Sequence, residues 1–344
     1  MKVSIARSLK YLFHLPKEAL YILSGKLPIT VENKTLDSGL QIVVAVMNIL
    51  PGFETLGPID ARKAIDALAG LIDAPMQDIP VAVNKRIPVT NPDGFIPIRI
   101  YIPSSMENGH YPVLVYSHGG GYVMASLDSH ERICQLFSKK LNCIVVSIGY
   151  RLAPEFTFPS AAYDVIAGFK WVKNHISDFG GDIKRIAIGG DSAGATLSTV
   201  ACHELKNTEY KPFYQLLFYP GTNASRMPKS RDLYGEGLFL TGKQIDWFIS
   251  QYLPNREDAY SPLVSPMLYS DFSNLPPTYI STAGLDPVFD DGYEYAQKLK
   301  EADNKLTYKS FPSLIHGYVN MTAIPACMAA VDDAIEELRK AFYT

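Results

Sequence analysis

The stretch RIAIGGDSAGATLS (Arg185–Ser198) decides how this chain is read, because an apolar, strand-like run passes straight into a serine ringed by small residues and then into a helical pattern. A strand that turns into a helix at Gly190-Asp191-Ser192-Ala193-Gly194 must bend sharply, and larger side chains would collide in that bend. The bend lifts the Ser192 hydroxyl clear of the sheet edge. Small residues would also serve the plainer purpose of letting a helix pack close to a strand. What separates the two readings is whether the chain supplies the partners a serine nucleophile needs: a base, a carboxylate to orient it, and donors for the oxyanion it generates.

Donors are offered about 70 residues upstream, where His118-Gly119-Gly120-Gly121 follows the run PVLVYS. Successive amides without side chains can converge on one point, so Gly120, Gly121 and the amide of Ala193 are the expected oxyanion donors. A phosphate-cradling loop is the competing use of such glycines, but no Lys-Ser or Lys-Thr pair follows. His118 is read as a brace for its loop, supporting the motif together with Gly119 and Asp191. Of the seven histidines, His316 alone follows the serine with a strand just before it and a glycine just after it. His203 falls on the helix that the serine opens and is assigned a structural part, while His14, His110, His130 and His175 are expected at the surface. The acid is expected in TYISTAGLDPVFDDG, where Asp286 stands directly after a strand. Asp290 and Asp291 read instead as the start of the next helix, where carboxylates favour the positive end of the dipole.

Outward from these motifs, β-branched runs alternate with helical ones: FIPIRIYIP, YPVLVYSHGG, CIVVSIGYR, RIAIGGDSAG, YQLLFYP, PPTYISTAG and LTYKSFP, with helices after the second, third, fourth, sixth and seventh. Such alternation predicts an α/β fold with a mostly parallel central sheet and helices on both faces. Residues 1–75 read as helices without strands, and residues 223–262 as an aromatic-rich helical insertion; both are expected to form one cap over a catalytic domain spanning 76–344. Tyr122, Phe239 and Trp247 are the candidate substrate-binding side chains, joined by Phe248 and Tyr252.

Composition excludes other classes. The 344 residues carry 32 Lys and Arg against 35 Asp and Glu, a net charge of −3, so there is no basic surplus for phosphate neutralisation and no nucleic-acid partner is expected. The four cysteines lack CxxC spacing, which suggests neither a disulfide framework nor a metal site and is compatible with the cytoplasm. The opening MKVSIARSLKYLFHLPKEALYIL is basic and apolar, but Lys10, His14, Pro16, Lys17 and Glu18 break it before it makes a secretory core. Leu9, Leu12, Phe13, Leu20 and Ile22 with Lys2, Arg7, Lys10 and Lys17 fit an amphipathic helix. It covers the protein's own cavity, the preferred reading, or makes a peripheral membrane contact. The run LQIVVAVMNIL has 11 residues against the roughly 20 a bilayer span needs.

Taken in order, HGGGY, YRLAPE (Tyr150–Glu155), GDSAG, DPVFDDG and HGYVN (His316–Asn320) resemble the motifs of the hormone-sensitive-lipase-like esterases of the α/β-hydrolase fold, over roughly residues 80–340. GLFLTGKQIDWFISQYL resembles that family's cap segment. The resemblance implies a Ser192–His316–Asp286 triad, oxyanion donors at Gly120, Gly121 and Ala193, no cofactor and no metal. It also implies hydrolysis of short- to medium-chain carboxylic esters through an acyl-enzyme. Two departures stand out: Phe289 occupies a position where arginine is common, and the leader of about 25 residues is longer and more basic than usual. An amidase or deacetylase on the same scaffold, and a non-catalytic small-molecule binder, are the alternatives, and a homodimer is left open.

Overall fold

The computed structural model of the protein describes residues 11–75, 77, 81–103 and 110–344. Eight strands form its main sheet: β1 (Val81–Val89), β2 (Gly94–Ile102), β3 (Tyr111–Ser117), β4 (Ile144–Ile148), β5 (Gly181–Asp191), β6 (Tyr214–Phe218), β7 (Thr278–Leu285) and β8 (Leu306–Ile315). Their spatial order is β8-β7-β6-β5-β3-β4-β2-β1. Strands β3 to β8 pair in parallel, whereas β1 pairs antiparallel with β2, and β2 with β4.

The strand YPVLVYS is buried along its whole length because both sheet faces are covered. Its side chains alternate between two cores. Val113 and Val115 join one core with Val146, Ile188 and Leu217, whereas Leu114 and Tyr116 join the other with Val145, Ala187 and Phe218. Helices α5 (Ser160–His175), α6 (Ala193–Leu205) and α9 (Phe289–Glu301) pack on the first face; α4 (Glu131–Leu141) and α10 (Pro325–Tyr343) pack on the second.

The N-terminal segment supplies α1 (Lys17–Leu23), α2 (Ser38–Met47) and α3 (Pro58–Leu68), and the connection from β6 to β7 supplies α7 (Lys229–Tyr234) and α8 (Gly242–Tyr252). Local chemistry starts two of these helices. The Asp37 carboxylate accepts from the N–H groups of Gly39 and Leu40 at α2, and Thr241 with Gln244 forms a capping box at α8. The two regions meet: the Asn48 amide donates to the Gly237 carbonyl at 3.2 Å, and Lys243 lies 3.6 Å from Glu54.

Three expectations need correction. The predicted strands do not include β1; only Ile87 and Val89 are buried on it, so an exposed edge strand carrying Asn84-Lys85-Arg86 and Pro88 shows no alternation to read. Residues 1–75 are not strand-free, since Thr30–Val31 and Lys34–Thr35 form a short antiparallel hairpin. The leader's apolar stripe is also divided: Phe13 and Leu20 are buried, while Ile22 is 79% exposed. Lys2, Arg7, Leu9 and Lys10 lie outside the described residues. Among the described residues no helix is long and apolar enough to cross a membrane.

Candidate active site

Strand β5 ends at Asp191 and helix α6 begins at Ala193, so Ser192 alone makes the turn, with φ 53° and ψ −123°. This is a strained conformation for a residue with a side chain. The glycines around it are required by close approach, since a Cβ at either Gly190 or Gly194 would run into the carbonyl oxygen of Ser117 at the end of β3. Helix α6 therefore starts against the neighbouring strand, and its first residue, Ala193, lines the site.

Ser192 Oγ lies 2.8 Å from His316 Nε2, and His316 Nδ1 lies 2.8 Å from Asp286 Oδ2. These side chains come from the ends of β5, β8 and β7, so the parallel sheet brings together residues far apart in sequence. Asp286 is fully buried, and its other oxygen, Oδ1, accepts from the Val288 N–H at 2.9 Å. The carboxylate is thus fixed from behind while it faces the imidazole. The His316 ring also rests 4.6 Å from that of Tyr219.

The loop after β3 holds Gly120 at φ 104° and Gly121 at φ 61°, backbone states that favour glycine. A Cβ at Gly121 would enter the Phe248 ring of α8. Within the described residues the N–H groups of Gly120, Gly121 and Ala193 make no hydrogen bond, and all three residues line the cavity that contains Ser192 and His316. The arrangement can receive an oxyanion.

Asp191 ties this loop to the serine turn. Its Oδ1 accepts from the Tyr116 hydroxyl at 2.9 Å and the Gly119 N–H at 3.1 Å. Burial alone would raise its pKa, but His130 and the Tyr116 hydroxyl hold it below the usual carboxylate range. His118 is buried, sits 2.7 Å from the Gly119 carbonyl through Nδ1, and stacks on Tyr150 at 4.3 Å. Burial, with His130 nearby, pushes its pKa down to about 4. It braces the loop as a neutral ring. His130 corrects the expectation of a surface residue: it is buried, with Nε2 3.2 Å from Asp191 Oδ1 and 3.0 Å from Asn320 Nδ2. Nothing local marks it, because the carboxylate it meets is 61 residues away.

The cavity measures about 450 Å³ and its walls are mostly apolar. Of the candidate substrate-binding residues, Tyr122, Phe239 and Phe248 line it, with Tyr122 stacked 4.0 Å from Tyr252 behind it. Trp247 does not line it. On α8 the cavity-facing positions are Gln244, Ile245, Phe248 and Ile249, a spacing of one helical face, so Trp247 falls on the flank and packs against the core. Phe13, from the stripe expected to cover the cavity, lines it, whereas the sequence reading missed the contribution of Val43, Met47 and Asp73 from the N-terminal segment. The helical pattern of Val43 and Met47 marks them as apolar positions, and neither it nor the sequence around Asp73 carries a signal for which wall they meet.

The departure at Phe289 is met from outside the acid loop. Lys34, on the N-terminal hairpin, donates to the Gly284 carbonyl at 2.8 Å and to the Tyr234 hydroxyl at 3.1 Å, with its ammonium 4.5 Å over the Phe289 ring. Gly284 stands two residues before Asp286, so this cation secures the strand end that carries the acid. Lys34→Met is expected to cost about 1–2 kcal/mol by thermal unfolding, with Lys34→Arg recovering part of it. An unchanged Tm in the methionine variant would contradict this.

A family model described as the alpha/beta hydrolase fold matches residues 114–320. The chain is similar to the carboxylic ester hydrolase LipN of Mycobacterium tuberculosis, with 36% identity over 96% of this chain and 89% of the relative. It is also similar to the ethyl acetate hydrolase of Pseudomonas putida, 33% identical over 85% of this chain and 93% of that one. Among solved structures, the thermostable carboxylesterase EstE1, cloned from a metagenomic library, superposes with a TM-score of 0.79 at 34% identity, over 84% of this chain and 98% of its own. With the fold, the serine turn and these relatives in agreement, the chain belongs to the α/β-hydrolase family, within its hormone-sensitive-lipase-like branch of carboxylic ester hydrolases.

Proposed function

We propose that the protein hydrolyses short- to medium-chain carboxylic esters through Ser192, His316 and Asp286, with an acyl-enzyme intermediate. The observation that carries the reading is the continuous line from Asp286 through His316 to Ser192, two contacts of 2.8 Å, at the wall of an apolar cavity. Ser192 Oγ attacks the ester carbonyl carbon as its proton passes to His316 Nε2. Asp286 keeps the Nδ1 proton in place and offsets the imidazolium charge. The carbonyl oxygen becomes an oxyanion held by the N–H groups of Gly120, Gly121 and Ala193. Collapse expels the alcohol, which takes the proton from Nε2, and leaves the acyl group on Ser192. Water, deprotonated by the same imidazole, attacks the acyl-enzyme and frees the acid. In this reading residues 1–75 and the insertion at 223–262 act as one cap over the catalytic domain, and Phe13, Phe239 and Phe248 contribute the cap's side of the cavity.

An apolar cavity of about 450 Å³ accommodates a short- to medium-chain ester. Across 4-nitrophenyl esters, kcat/KM is expected to be highest between acetate and octanoate and to fall about tenfold or more by laurate. Activity that climbs steadily to the longest chain would overturn the assigned chain length; no hydrolysis of any ester in the series would overturn the function.

A further inference from the structure

The cavity wall carries one acidic group that the hydrolytic mechanism leaves unused. Asp291, in the first turn of α9, is 5% exposed and lines the cavity, and its buried Oδ1 has no hydrogen-bond partner among the described residues. Its nearest cation, Arg226 Nη2, stands 3.8 Å from Oδ1 and is already held by Glu294 at 2.5 Å. Among the described residues, the one hydrogen bond of Asp291 beyond its helix is made by its backbone, whose carbonyl accepts from the Thr222 hydroxyl at 2.7 Å. A buried polar group without a partner is costly, so such a group in a cavity is matched by something the cavity receives.

We infer that Asp291 is a polar subsite for a hydroxyl group carried on a short chain of the ester substrate; the inference rests on the ester-hydrolase reading above. Asp291 and Ser192 line the same cavity. Thr196, one helical turn along α6 from Ser192, lines the same cavity and donates to the Gly221 carbonyl at 2.7 Å, and the next residue, Thr222, donates to the Asp291 carbonyl at 2.7 Å. One turn is about 5.4 Å, the reach of a few methylene groups.

Charge selects the substituent. A substrate carboxylate would meet Asp286, Asp290 and Glu294 around Asp291, and a substrate ammonium would meet Arg226. A neutral hydroxyl is repelled by neither set. It also accepts from a protonated carboxyl and donates to an ionised one, so it satisfies Asp291 in either state. Burial, with those neighbouring carboxylates, pushes the Asp291 pKa up against the pull of Arg226.

The test compares paired substrates on the full chain. The acyl arm uses 4-nitrophenyl 3-hydroxybutyrate against 4-nitrophenyl butyrate; the alcohol arm uses 4-hydroxybutyl butyrate against butyl butyrate. In Asp291→Leu the hydroxylated-to-plain ratio of kcat/KM is expected to fall about tenfold in one arm, while Asp291→Asn, which still offers hydrogen bonds, stays within about threefold of the wild type. Asp291→Val serves as a second apolar variant where leucine overfills the site. The apolar variants are also expected to melt a few degrees higher, because an uncompensated carboxyl is removed. Ratios that move by less than about threefold in both arms, for both apolar variants, overturn the subsite and leave the esterase reading intact. If the wild type hydrolyses none of the four esters, the reading and the subsite fall together.

Discussion

Ser192→Ala is expected to lower kcat for 4-nitrophenyl butyrate by roughly 10⁴- to 10⁶-fold with little change in KM or in the unfolding transition. The size follows from the absence of a substitute: no other hydroxyl, thiol or amine lies within hydrogen-bond distance of His316 Nε2 among the described residues, so the base has no second nucleophile to activate except water. The oxyanion donors remain and retain a small residual rate over the uncatalysed reaction. Stability should hold because alanine keeps the φ of 53° that the turn imposes and loses one partly exposed hydroxyl. Ser192→Gly gives an internal comparison. It is equally inactive, but it is expected to gain about 1 kcal/mol, since glycine adopts the turn without strain. An organophosphonate that adds its mass to the wild type and not to Ser192→Ala would assign the nucleophile directly. A variant that kept more than about a tenth of the wild-type rate would remove Ser192 from the chemistry.

The parts of this site that the sequence makes legible are those built from backbone requirements. The Gly190–Gly194 turn, the glycines at 119–121 and the glycine after His316 are all positions where a Cβ or a negative φ is excluded, and such exclusions leave a mark in the residue types themselves. The central strands are equally legible, because two covered faces demand unbroken apolar runs such as YPVLVYS. Features that depend on pairing at a distance leave no such mark. His130 looks like any polar residue before a helix until the fold carries Asp191 to it. Lys34 looks like a turn residue until its hairpin lies over Phe289. Asp291 reads as a helix-start carboxylate, which it is, and only the fold reveals that it lines the cavity and that its buried Oδ1 has no hydrogen-bond partner among the described residues. Trp247 shows the opposite error: aromatic content marks a helix as core or cavity wall, but the rotation of α8 decides which ring faces the substrate space.

Asp286→Asn is the sharper test of the proposed mechanism, because it leaves the shape of the site in place and changes a single proton. The wild-type carboxylate accepts twice, from the Val288 N–H at Oδ1 and from His316 Nδ1 at Oδ2. An asparagine in the same rotamer must keep its one oxygen on the Val288 N–H, since the reverse orientation would set an amide N–H against a backbone N–H in a fully buried position. Its amide nitrogen then points at His316 Nδ1 and donates to it. Nδ1 becomes the acceptor, the imidazole proton moves to Nε2, and the nitrogen 2.8 Å from Ser192 Oγ is no longer able to receive the serine proton. The expected loss in kcat is about 10⁴-fold, with KM nearly unchanged and the fold retained. Because the block is one of proton placement, the residual rate should rise with hydroxide concentration at alkaline pH, where solvent base replaces the imidazole. A loss of less than about tenfold, or a collapse of KM with kcat preserved, would show that Asp286 only supports its loop and does not orient the base.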